Sequence, residues 1–356
     1  MVRCARLVLT GRPSFTAHRT SARRRWLLRG RQRFDWQRRL EGAPGPVTAG
    51  NIAYVASNGG LLHAIEIATG RDRWSFDGGA SYGSDLSTGP AVLPDGLILW
   101  PGPRHRLFAL TRRGQLRWTV STMGDPLTPA VDLARRLLVL ATTAGQLTGY
   151  RLGLGNRAPV RQWSRTLGTT SFGNPAIASN GTIYETAGDS LYAVTPDGRE
   201  LWRFKTPAQI EVSAAVADDG TIVFGSGDRQ EYGVGPDGKL RWRHAIGNFT
   251  YSSPLALAAN RVIFGDHSGD MSILDTHDGH LISTDHGHGQ IWTAAAVDKL
   301  GDVYFASRTG GFYGFGPHGR RLFLLQTKAT FASYPAIAAN GTLLVGDDTG
   351  VLRAIG

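Results

Sequence analysis

Residues 195–206 read TPDGRELWRFKT, and residues 235–246 read GPDGKLRWRHAI. Each stretch places a Pro-Asp-Gly turn before a short run of residues with a tryptophan at its centre. Asp-Gly beside alternating apolar residues is a strong signal for an antiparallel hairpin, because both turn residues tolerate positive φ. The two stretches therefore predict the same turn and the same strand, forty residues apart.

The tryptophan belongs to a repeat that runs along nearly the whole chain. The position recurs about every 41 residues, and the tryptophans that we expect to be structural are Trp36, Trp74, Trp118, Trp163, Trp202 and Trp242. Ser283 and Phe323 occupy the position in the last two copies. In most copies a glycine stands four residues earlier, as Gly198 does before Trp202. We expect each of these aromatic side chains to pack between neighbouring units.

Each unit predicts four short antiparallel strands. In residues 173–202 a strand at Pro-Ala-Ile-Ala precedes an Asn-Gly turn, and strands at Thr-Ile-Tyr and Leu-Tyr-Ala-Val precede the tryptophan strand. Such a sheet leaves both faces and both edges exposed, so the units must stack on one another. A period of roughly 40 residues is typical of propeller blades.

The number of first strands gives the number of blades. We count eight first strands, and the last copy ends before its fourth strand, while RFDWQRRL at residues 33–40 is a fourth strand without its preceding three. The sequence therefore predicts an all-β, eight-bladed β-propeller of four-stranded antiparallel blades. We expect the N-terminal strand to pair into the last blade and close the ring.

The net charge of +11 is concentrated at the N-terminus. Residues 1–40 contain twelve arginines and one acidic residue, and the remainder has equal numbers of basic and acidic residues. A neutral body lacks the basic face that a specific nucleic-acid-binding protein needs. We expect a basic, disordered tail at residues 1–29, a single propeller domain at residues 30–356, and no specific binding of nucleic acid.

Cysteine content and hydropathy limit the remaining possibilities. The single cysteine, Cys4, excludes an intramolecular disulfide. No apolar run approaches the roughly 20 residues that span a bilayer, so we expect no transmembrane segment. The N-terminal residues contain no complete export signal and no lipobox before Cys4. We expect a monomer.

The repeat motif resembles that of the PQQ-like propeller superfamily. Its pattern here is Leu-Tyr-Ala followed by Gly and Trp, as in residues 191–202, and LHAIEIATGRDRW at residues 62–74 is the fullest match. The resemblance covers about residues 30–356. It implies either a quinoprotein dehydrogenase, which holds PQQ with calcium, or a compact, non-catalytic propeller similar to the BamB-like scaffolds. It also favours a periplasmic or extracellular location.

The residues favour the non-catalytic branch. The chain has no pair of adjacent cysteines and no recognisable calcium-and-base motif, so we predict a protein-interaction scaffold or binding module without a cofactor and without catalytic residues. Two alternatives stay open. One is a quinoprotein-like oxidoreductase that uses PQQ and calcium, and the other is a sensor that binds a sugar or another small molecule.

We expect the binding site at the loops that do not repeat. Loops between blades and loops between second and third strands should emerge on one face, where aromatic and charged side chains could bind a protein or polymer partner. The candidates are Tyr82, Phe172, Asp189, Asp228, Arg229, Tyr251, His267, Trp292, Arg308, Tyr334 and Asp347. His286 and His288 could bind a metal ion, although histidines in such a glycine-rich loop more often have no ligand.

Overall fold

The computed structural model describes residues 34–40, 45–81, 88–153, 157–168, 170–317, 320–331 and 333–356. Strands and turns account for the regular structure of these residues, which include no helix. Within the same ranges, nothing has the helical length and apolarity needed to cross a membrane. The basic segment 1–29 lies outside the described residues, so its predicted disorder stays a prediction.

Eight antiparallel sheets of four strands each form the blades, as the repeat predicts. Blades 1 to 4 consist of β2 (Pro46–Ala49), β3 (Ile52–Ala56), β4 (Leu61–Glu66), β5 (Asp72–Asp77); β6 (Ala91–Val92), β7 (Ile98–Gly102), β8 (Arg106–Leu110), β9 (Leu116–Ser121); β10 (Ala130–Asp132), β11 (Leu137–Ala141), β12 (Gln146–Arg151), β13 (Val160–Thr166); and β14 (Ala176–Ile177), β15 (Ile183–Ala187), β16 (Ser190–Val194), β17 (Glu200–Lys205).

The second half of the ring has the same organisation. Blades 5 to 8 consist of β18 (Ala215–Val216), β19 (Ile222–Ser226), β20 (Gln230–Val234), β21 (Leu240–Ala245); β22 (Leu255–Leu257), β23 (Arg261–Gly265), β24 (Met271–Asp275), β25 (Leu281–Asp285); β26 (Ala296–Val297), β27 (Val303–Ala306), β28 (Gly311–Phe315), β29 (Arg321–Gln326); and β30 (Ala336–Ile337), β31 (Leu343–Gly346), β32 (Val351–Ile355), β1 (Phe34–Arg39).

The N-terminal strand closes the ring. Strand β1 pairs antiparallel with β32, with Trp36 opposite Ala354, and so becomes the outer strand of blade 8. In the other seven blades the strands follow one another in chain order. The predicted fold class and the predicted mode of closure are both confirmed.

The first strand of each blade lies nearest the axis of the ring. First strands of neighbouring blades contact one another, as β2 does with β6 and β30 and as β10 does with β14. Second and third strands such as β15 and β16 are buried along their whole length, whereas the outer strand β17 alternates between half-buried and exposed residues. The hydrophobic core therefore lies between successive blades, where Tyr184 and Leu191 pack with Phe224 and Tyr232.

An indole and a glycine form the contact that joins one blade to the next. Trp242 of blade 5 is only 6% exposed, and its Nε1 donates a hydrogen bond of 2.8 Å to the Thr276 carbonyl of blade 6. Gly279, in the same turn, has a φ of +75°, and a Cβ built there would lie 2.5 Å from the Trp242 indole. Only glycine fits both the backbone conformation and the close approach to the ring.

The same contact recurs at three other seams. The pairs are Trp74 with Gly114, Trp163 with Gly198, and Trp202 with Gly238. In each pair the indole Nε1 also donates to a carbonyl two residues before the glycine, at 2.8–2.9 Å, the acceptors being Arg112, Pro196 and Pro236. Trp118 packs in the core between blades 2 and 3. The side chain of Trp36 lies outside the described residues.

Two buried glutamates interrupt the apolar core. Glu185 and Glu231 are both almost fully buried, and the carboxylate of Glu185 accepts a hydrogen bond of 2.6 Å from Ser171. Neither carboxylate oxygen of Glu231 has a hydrogen-bond partner among the described residues. Burial raises the pKa of both carboxyl groups well above 4.5, because a charged carboxylate loses its hydration.

We expect the tryptophan side chain between two blades to contribute substantially to the free energy of unfolding. Trp242→Ala should lower the free energy of unfolding by about 3–5 kcal/mol, because it removes a buried aromatic side chain and leaves a cavity. Denaturant unfolding of the purified protein measures this loss. A loss of unfolding free energy below about 1 kcal/mol would show that the contact between blades 5 and 6 does not depend on Trp242.

The glycine side of the contact has a matched control. Gly279 and Gly50 both have positive φ, at +75° and +62°, but a Cβ at Gly50 would meet nothing within 4 Å. Gly279→Ala should therefore destabilise the protein more than Gly50→Ala, since only the first adds a clash with Trp242 to the backbone strain. In the Trp242→Ala background the two glycine substitutions should lower the free energy of unfolding by the same amount.

Glu231 should make stability fall as the pH rises. Its pKa is raised in the folded state, so its contribution is fully present below the unfolded value near 4.5 and is lost as the pH rises through the folded pKa. Glu231→Gln removes this titration. The melting temperature of the variant minus that of the wild type should therefore increase between pH 5 and pH 8.

Glu66→Gln is the control for this experiment. Hydrogen bonds from Thr69 and Arg73 lower the pKa of the Glu66 carboxyl, which is therefore ionised in both states above about pH 5. Its substitution should not change the pH dependence in this range. A constant difference between wild type and Glu231→Gln would contradict the assignment of a buried, neutral carboxyl group.

Candidate functional site

Two kinds of loop emerge on the same face of the ring. The Gly227 amide, in the turn between the second and third strands of blade 5, donates 2.8 Å to the Gln209 carbonyl of the preceding inter-blade loop. The Arg308 amide of blade 7 likewise donates 2.9 Å to the Gln290 carbonyl. We call this side of the protein the funnel face, and we call the side with the other turns the opposite face.

One position in the inter-blade loops has the same register in four successive blades. It lies four residues before the first strand and is occupied by Phe172, Glu211, Tyr251 and Trp292. Phe172 and Tyr251 are 44% and 37% exposed, and Trp292 is half-buried. Because the register is shared, these side chains follow one another around the funnel face.

Four aromatic rings meet around Tyr251 and Trp292, in the loops before blades 6 and 7 and in a turn of blade 6. The Tyr251 ring lies 5.4 Å from both Phe249 and Trp292, measured between centroids. The His267 ring lies 4.2 Å from Phe249, 4.8 Å from Tyr251 and 5.1 Å from Trp292. All of these pairs are tilted or edge-to-face, which is a favourable geometry for aromatic rings. We call Phe249, Tyr251, His267 and Trp292 the aromatic arc.

A charged group stands at each end of the aromatic arc. The Arg308 guanidinium lies 4.0 Å from the centroid of Trp292, a distance at which a cation is attracted to the ring face, and its Nη2 lies 3.3 Å from Asp348. At the other end, the Glu211 carboxylate interacts with the Tyr251 hydroxyl. The arc therefore offers an apolar surface flanked by the Arg308–Asp348 ion pair at one end and by the Glu211 carboxylate at the other.

The rings of the arc are uncharged at neutral pH. Burial lowers the pKa of His267, and the nearby Arg308 lowers it further. Its Nδ1 lies 3.1 Å from the Phe249 carbonyl, so the neutral ring donates there. Burial raises the pKa of Tyr251, and the Glu211 carboxylate raises it further. The indole Nε1 of Trp292 is buried without a hydrogen-bond partner among the described residues.

A chain of hydrogen bonds joins the inter-blade loops before blades 3 to 6. The Thr128 amide donates 2.9 Å to Asn174 Oδ1, and the Asn174 amide donates 2.8 Å to Ser213 Oγ. The Ser213 amide in turn donates 3.0 Å to Ser253 Oγ. These residues all lie two positions before a first strand, so successive blades are fixed to one another at the funnel face.

Three sequence candidates lie in the turns beside the arc. Asp189 pairs with Lys205 at 3.1 Å, and hydrogen bonds from Ser190 and Lys205 lower its pKa. Asp228 accepts a hydrogen bond of 2.5 Å from the Tyr232 hydroxyl. Arg229, in the same turn, is exposed.

Of the remaining candidates, Tyr82 lies outside the described residues, and Asp347 contributes no exposed group to the arc. The Asp347 carboxylate is buried, pairs with Arg353 and accepts hydrogen bonds from its own turn. Burial alone would raise the pKa of Asp347, but these hydrogen bonds and Arg353 bring it below its usual value.

Tyr334 bridges blades instead of forming part of the arc. Its ring lies 3.3 Å from where a Cβ of Gly45 would be, and its hydroxyl lies 2.6 Å from the corresponding point at Gly89. Gly45 precedes blade 1 and Gly89 precedes blade 2, so the side chain extends from blade 8 past the first inner strand. The two glycines provide the space for it.

The two histidines considered as metal ligands have different acidic partners. His286 Nδ1 lies 2.8 Å from Asp270, whereas His288 Nε2 lies 3.2 Å from Asp285. His288 is only 3% exposed, packs edge-on against Tyr313, and has its pKa lowered by burial. It is therefore part of the core between blades.

Two further features lie on the opposite face. Among the described residues, one group of three ligand-type side chains brings its atoms within 4.8 Å of one another, and it consists of Asp275, Asp278 and His280. An open hollow of about 420 Å³ lies at the seam of blades 1 and 2, next to Trp74 and Arg112. Neither feature contacts the aromatic arc.

Three residues of this region are not among the eleven candidates, although two of them, Phe249 and Asp348, lie in the loops that the sequence indicated. Glu211, Phe249 and Asp348 each contact a member of the arc or its flanking arginine. Glu211 could have been found from its register, because it occupies the position of Phe172, Tyr251 and Trp292 in the repeat. The structure brings Tyr251, His267, Trp292 and Arg308 together, and their role in binding stays a prediction.

Known proteins with this repeat have the same architecture. The chain is 24% identical over 330 residues to the outer membrane protein assembly factor BamB of Burkholderia pseudomallei, an alignment that covers 76% of this chain and 84% of that protein. The crystal structure of BamB from Moraxella catarrhalis superposes with a TM-score of 0.71 at 16% identity and covers 92% of this chain and 98% of that chain.

A quinohemoprotein alcohol dehydrogenase from Comamonas testosteroni superposes with a TM-score of 0.66 at 13% identity, covering 91% of this chain and 76% of the enzyme. These structural likenesses show the shared propeller fold. The family model described as outer membrane protein assembly factor BamB matches residues 19–188 and 160–355. The chain therefore belongs to the family of the outer membrane protein assembly factor BamB.

Proposed function

We propose that the protein is a non-catalytic scaffold that binds a protein partner through the aromatic arc on its funnel face. The observation that carries this proposal is the direct contact among the rings of Tyr251, His267 and Trp292, with Arg308 stacked on the indole. Clustered aromatic side chains and arginine are the groups that dominate the binding energy of protein interfaces.

The arc is also organised before any partner binds. Four rings pack against one another, and the loops that carry Tyr251 and Trp292 are joined by a hydrogen bond of 3.0 Å from the Ser252 hydroxyl to the Thr293 carbonyl. Little side-chain and loop freedom is then lost on association, which favours affinity. The residues of the inter-blade loops differ from blade to blade, whereas the tryptophans between blades repeat. The arc can therefore be specific for one partner without changing the contacts between blades.

The relatives indicate the process. The curated relative and the family model are both described as an outer membrane protein assembly factor. We propose that this protein takes part in the assembly of outer membrane proteins, outside the cytoplasm, and that its propeller acts as a monomer.

The quinoprotein alternative has less support. A PQQ and calcium site on the funnel face would need several carboxylates grouped there. Among the described residues, the group of ligand-type side chains whose atoms lie close together consists of Asp275, Asp278 and His280, and it lies on the opposite face. The likeness to the alcohol dehydrogenase extends to the fold alone. Oxidation of an alcohol or a sugar by the purified protein, supplied with PQQ and calcium, would contradict a non-catalytic role.

The arc should be needed for function and dispensable for folding. We expect the double variant Tyr251→Ala/Trp292→Ala to lose partner binding by about thirtyfold or more, because truncation of even one aromatic hot-spot residue costs about 2 kcal/mol or more and about 1.4 kcal/mol corresponds to a factor of ten. The measurement is the amount of folded outer membrane protein in cells whose only copy carries the variant, alongside the melting temperature of the purified propeller.

Leu240→Ala is the control. Leu240 is 46% exposed and follows the opposite-face turn of blade 5, so its removal tests the loss of an exposed apolar side chain away from the arc. Normal assembly with Leu240→Ala and impaired assembly with the arc variant, at similar melting temperatures, is the expected result. Normal assembly with both variants would rule out the arc as the interface.

A further inference from the structure

Arg229 occupies the last position of the turn before the third strand, which holds glycine in five other blades, His105 in blade 2 and Asp189 in blade 4. In those five blades the glycine donates its amide to the carbonyl three residues earlier and has positive φ. The residues at this position in five other blades are Gly60, Gly145, Gly269, Gly310 and Gly350. Arg229 has a φ of +65° and makes the same bond to Ser226 at 3.2 Å.

This conformation costs an arginine free energy that a glycine does not lose. A side chain in the left-handed region has its Cβ crowded against the following carbonyl, and such residues cluster at functional sites. No contact within the protein compensates, because the Arg229 side chain is exposed and takes part in no hydrogen bond, ion pair or ring contact among the described residues. Arg136, by contrast, has a φ of +52° and donates its guanidinium to the Leu152 carbonyl.

The turn that carries Arg229 lies beside the aromatic arc. Its Gly227 amide bonds the Gln209 carbonyl, in the loop that carries Glu211. The Arg229 carbonyl accepts a hydrogen bond of 3.0 Å from the Ile246 amide, where the loop that carries Tyr251 begins. Arg229 therefore stands between two loops that contribute to the proposed interface.

The nearby acids are already engaged. Asp228 accepts hydrogen bonds from the Tyr232 hydroxyl and the Gln230 amide, and Glu211 interacts with Tyr251. The guanidinium of Arg229 is consequently available to a group from outside. A planar guanidinium binds a carboxylate through two parallel hydrogen bonds, which also fixes the orientation of the bound segment.

We infer that Arg229 binds a single carboxylate of the protein partner, next to the aromatic arc. This inference rests on the proposed function and adds the chemistry of the partner. A protein segment with one carboxylate fits better than a polyanionic surface, because the funnel face near Arg229 also carries Asp189, Glu211 and Asp228, which repel clustered negative charge. The strained turn is retained because glycine, which would relieve it, has no side chain with which to bind.

Four substitutions separate charge from strain. Arg229→Ala removes the guanidinium and keeps a side chain in the strained conformation, whereas Arg229→Gly removes both. Arg229→Lys keeps the charge without the planar fork. Asn260→Gly is the matched control, because Asn260 has a φ of +53° in a turn on the opposite face.

The readout is photocrosslinking in cells with p-benzoylphenylalanine at Gln209, which is exposed and lies beside the Arg229 turn. We expect Arg229→Ala and Arg229→Gly to lower the yield of the crosslinked protein by about tenfold, and Arg229→Lys to lower it less. Asn260→Gly should have no effect on the yield. Arg229→Gly should not lower the melting temperature, so a loss of crosslinking will not reflect unfolding.

The outcomes distinguish this inference from the proposed function. A wild-type yield with Arg229→Gly, or a crosslinked partner peptide without aspartate or glutamate, would overturn the role of Arg229, and so would an adduct with lipid. Loss of crosslinking in Trp292→Ala but not in Arg229→Gly would support the arc as the interface and reject the role of Arg229. The reverse result would support the role of Arg229 and reject the arc as the interface. No loss in either variant would reject both proposals.

Discussion

The packing of an indole against a glycine of the next blade is the contact on which the ring depends. The indole of Trp242 fills the seam, its Nε1 satisfies a turn carbonyl of blade 6, and Gly279 permits the approach because it has no side chain. A single four-stranded blade cannot bury its own faces, so each blade is stable only against its neighbours. Repetition of this contact explains why the sequence repeats the same turn and the same aromatic residue.

The repeat constrains the tryptophan–glycine contact between blades and allows the inter-blade loops on the funnel face to vary. Residues such as Trp202 and Gly238 must fit each other at the four described seams that have this contact, whereas the position four residues before a first strand accepts Phe172, Glu211, Tyr251 and Trp292 in turn. The aromatic arc forms because neighbouring copies of this variable position lie side by side at the funnel face. A scaffold thereby gains a specific surface without altering the contacts that hold it together.

The predictability of each feature follows from the range of the interactions that create it. Turns such as Asp197-Gly198 and the period of the tryptophan are local patterns, and they were sufficient to predict the blades, their number and the closure of the ring. The choice of loops for the site was also local. Which candidates meet was not, because Tyr251, His267 and Trp292 come from different loops and acquire their contacts only in the closed ring.

The sequence by itself determined the blade. The hairpin turns act within one repeat, and the tryptophan acts between adjacent repeats. The tertiary structure decided which polar residues are available for binding. Asp347 and Arg229 are both charged residues in equivalent turns, yet burial beside Arg353 engages the first and exposure leaves the second without a partner among the described residues. Burial and pairing are properties of the assembled ring, so no local pattern could have separated the two.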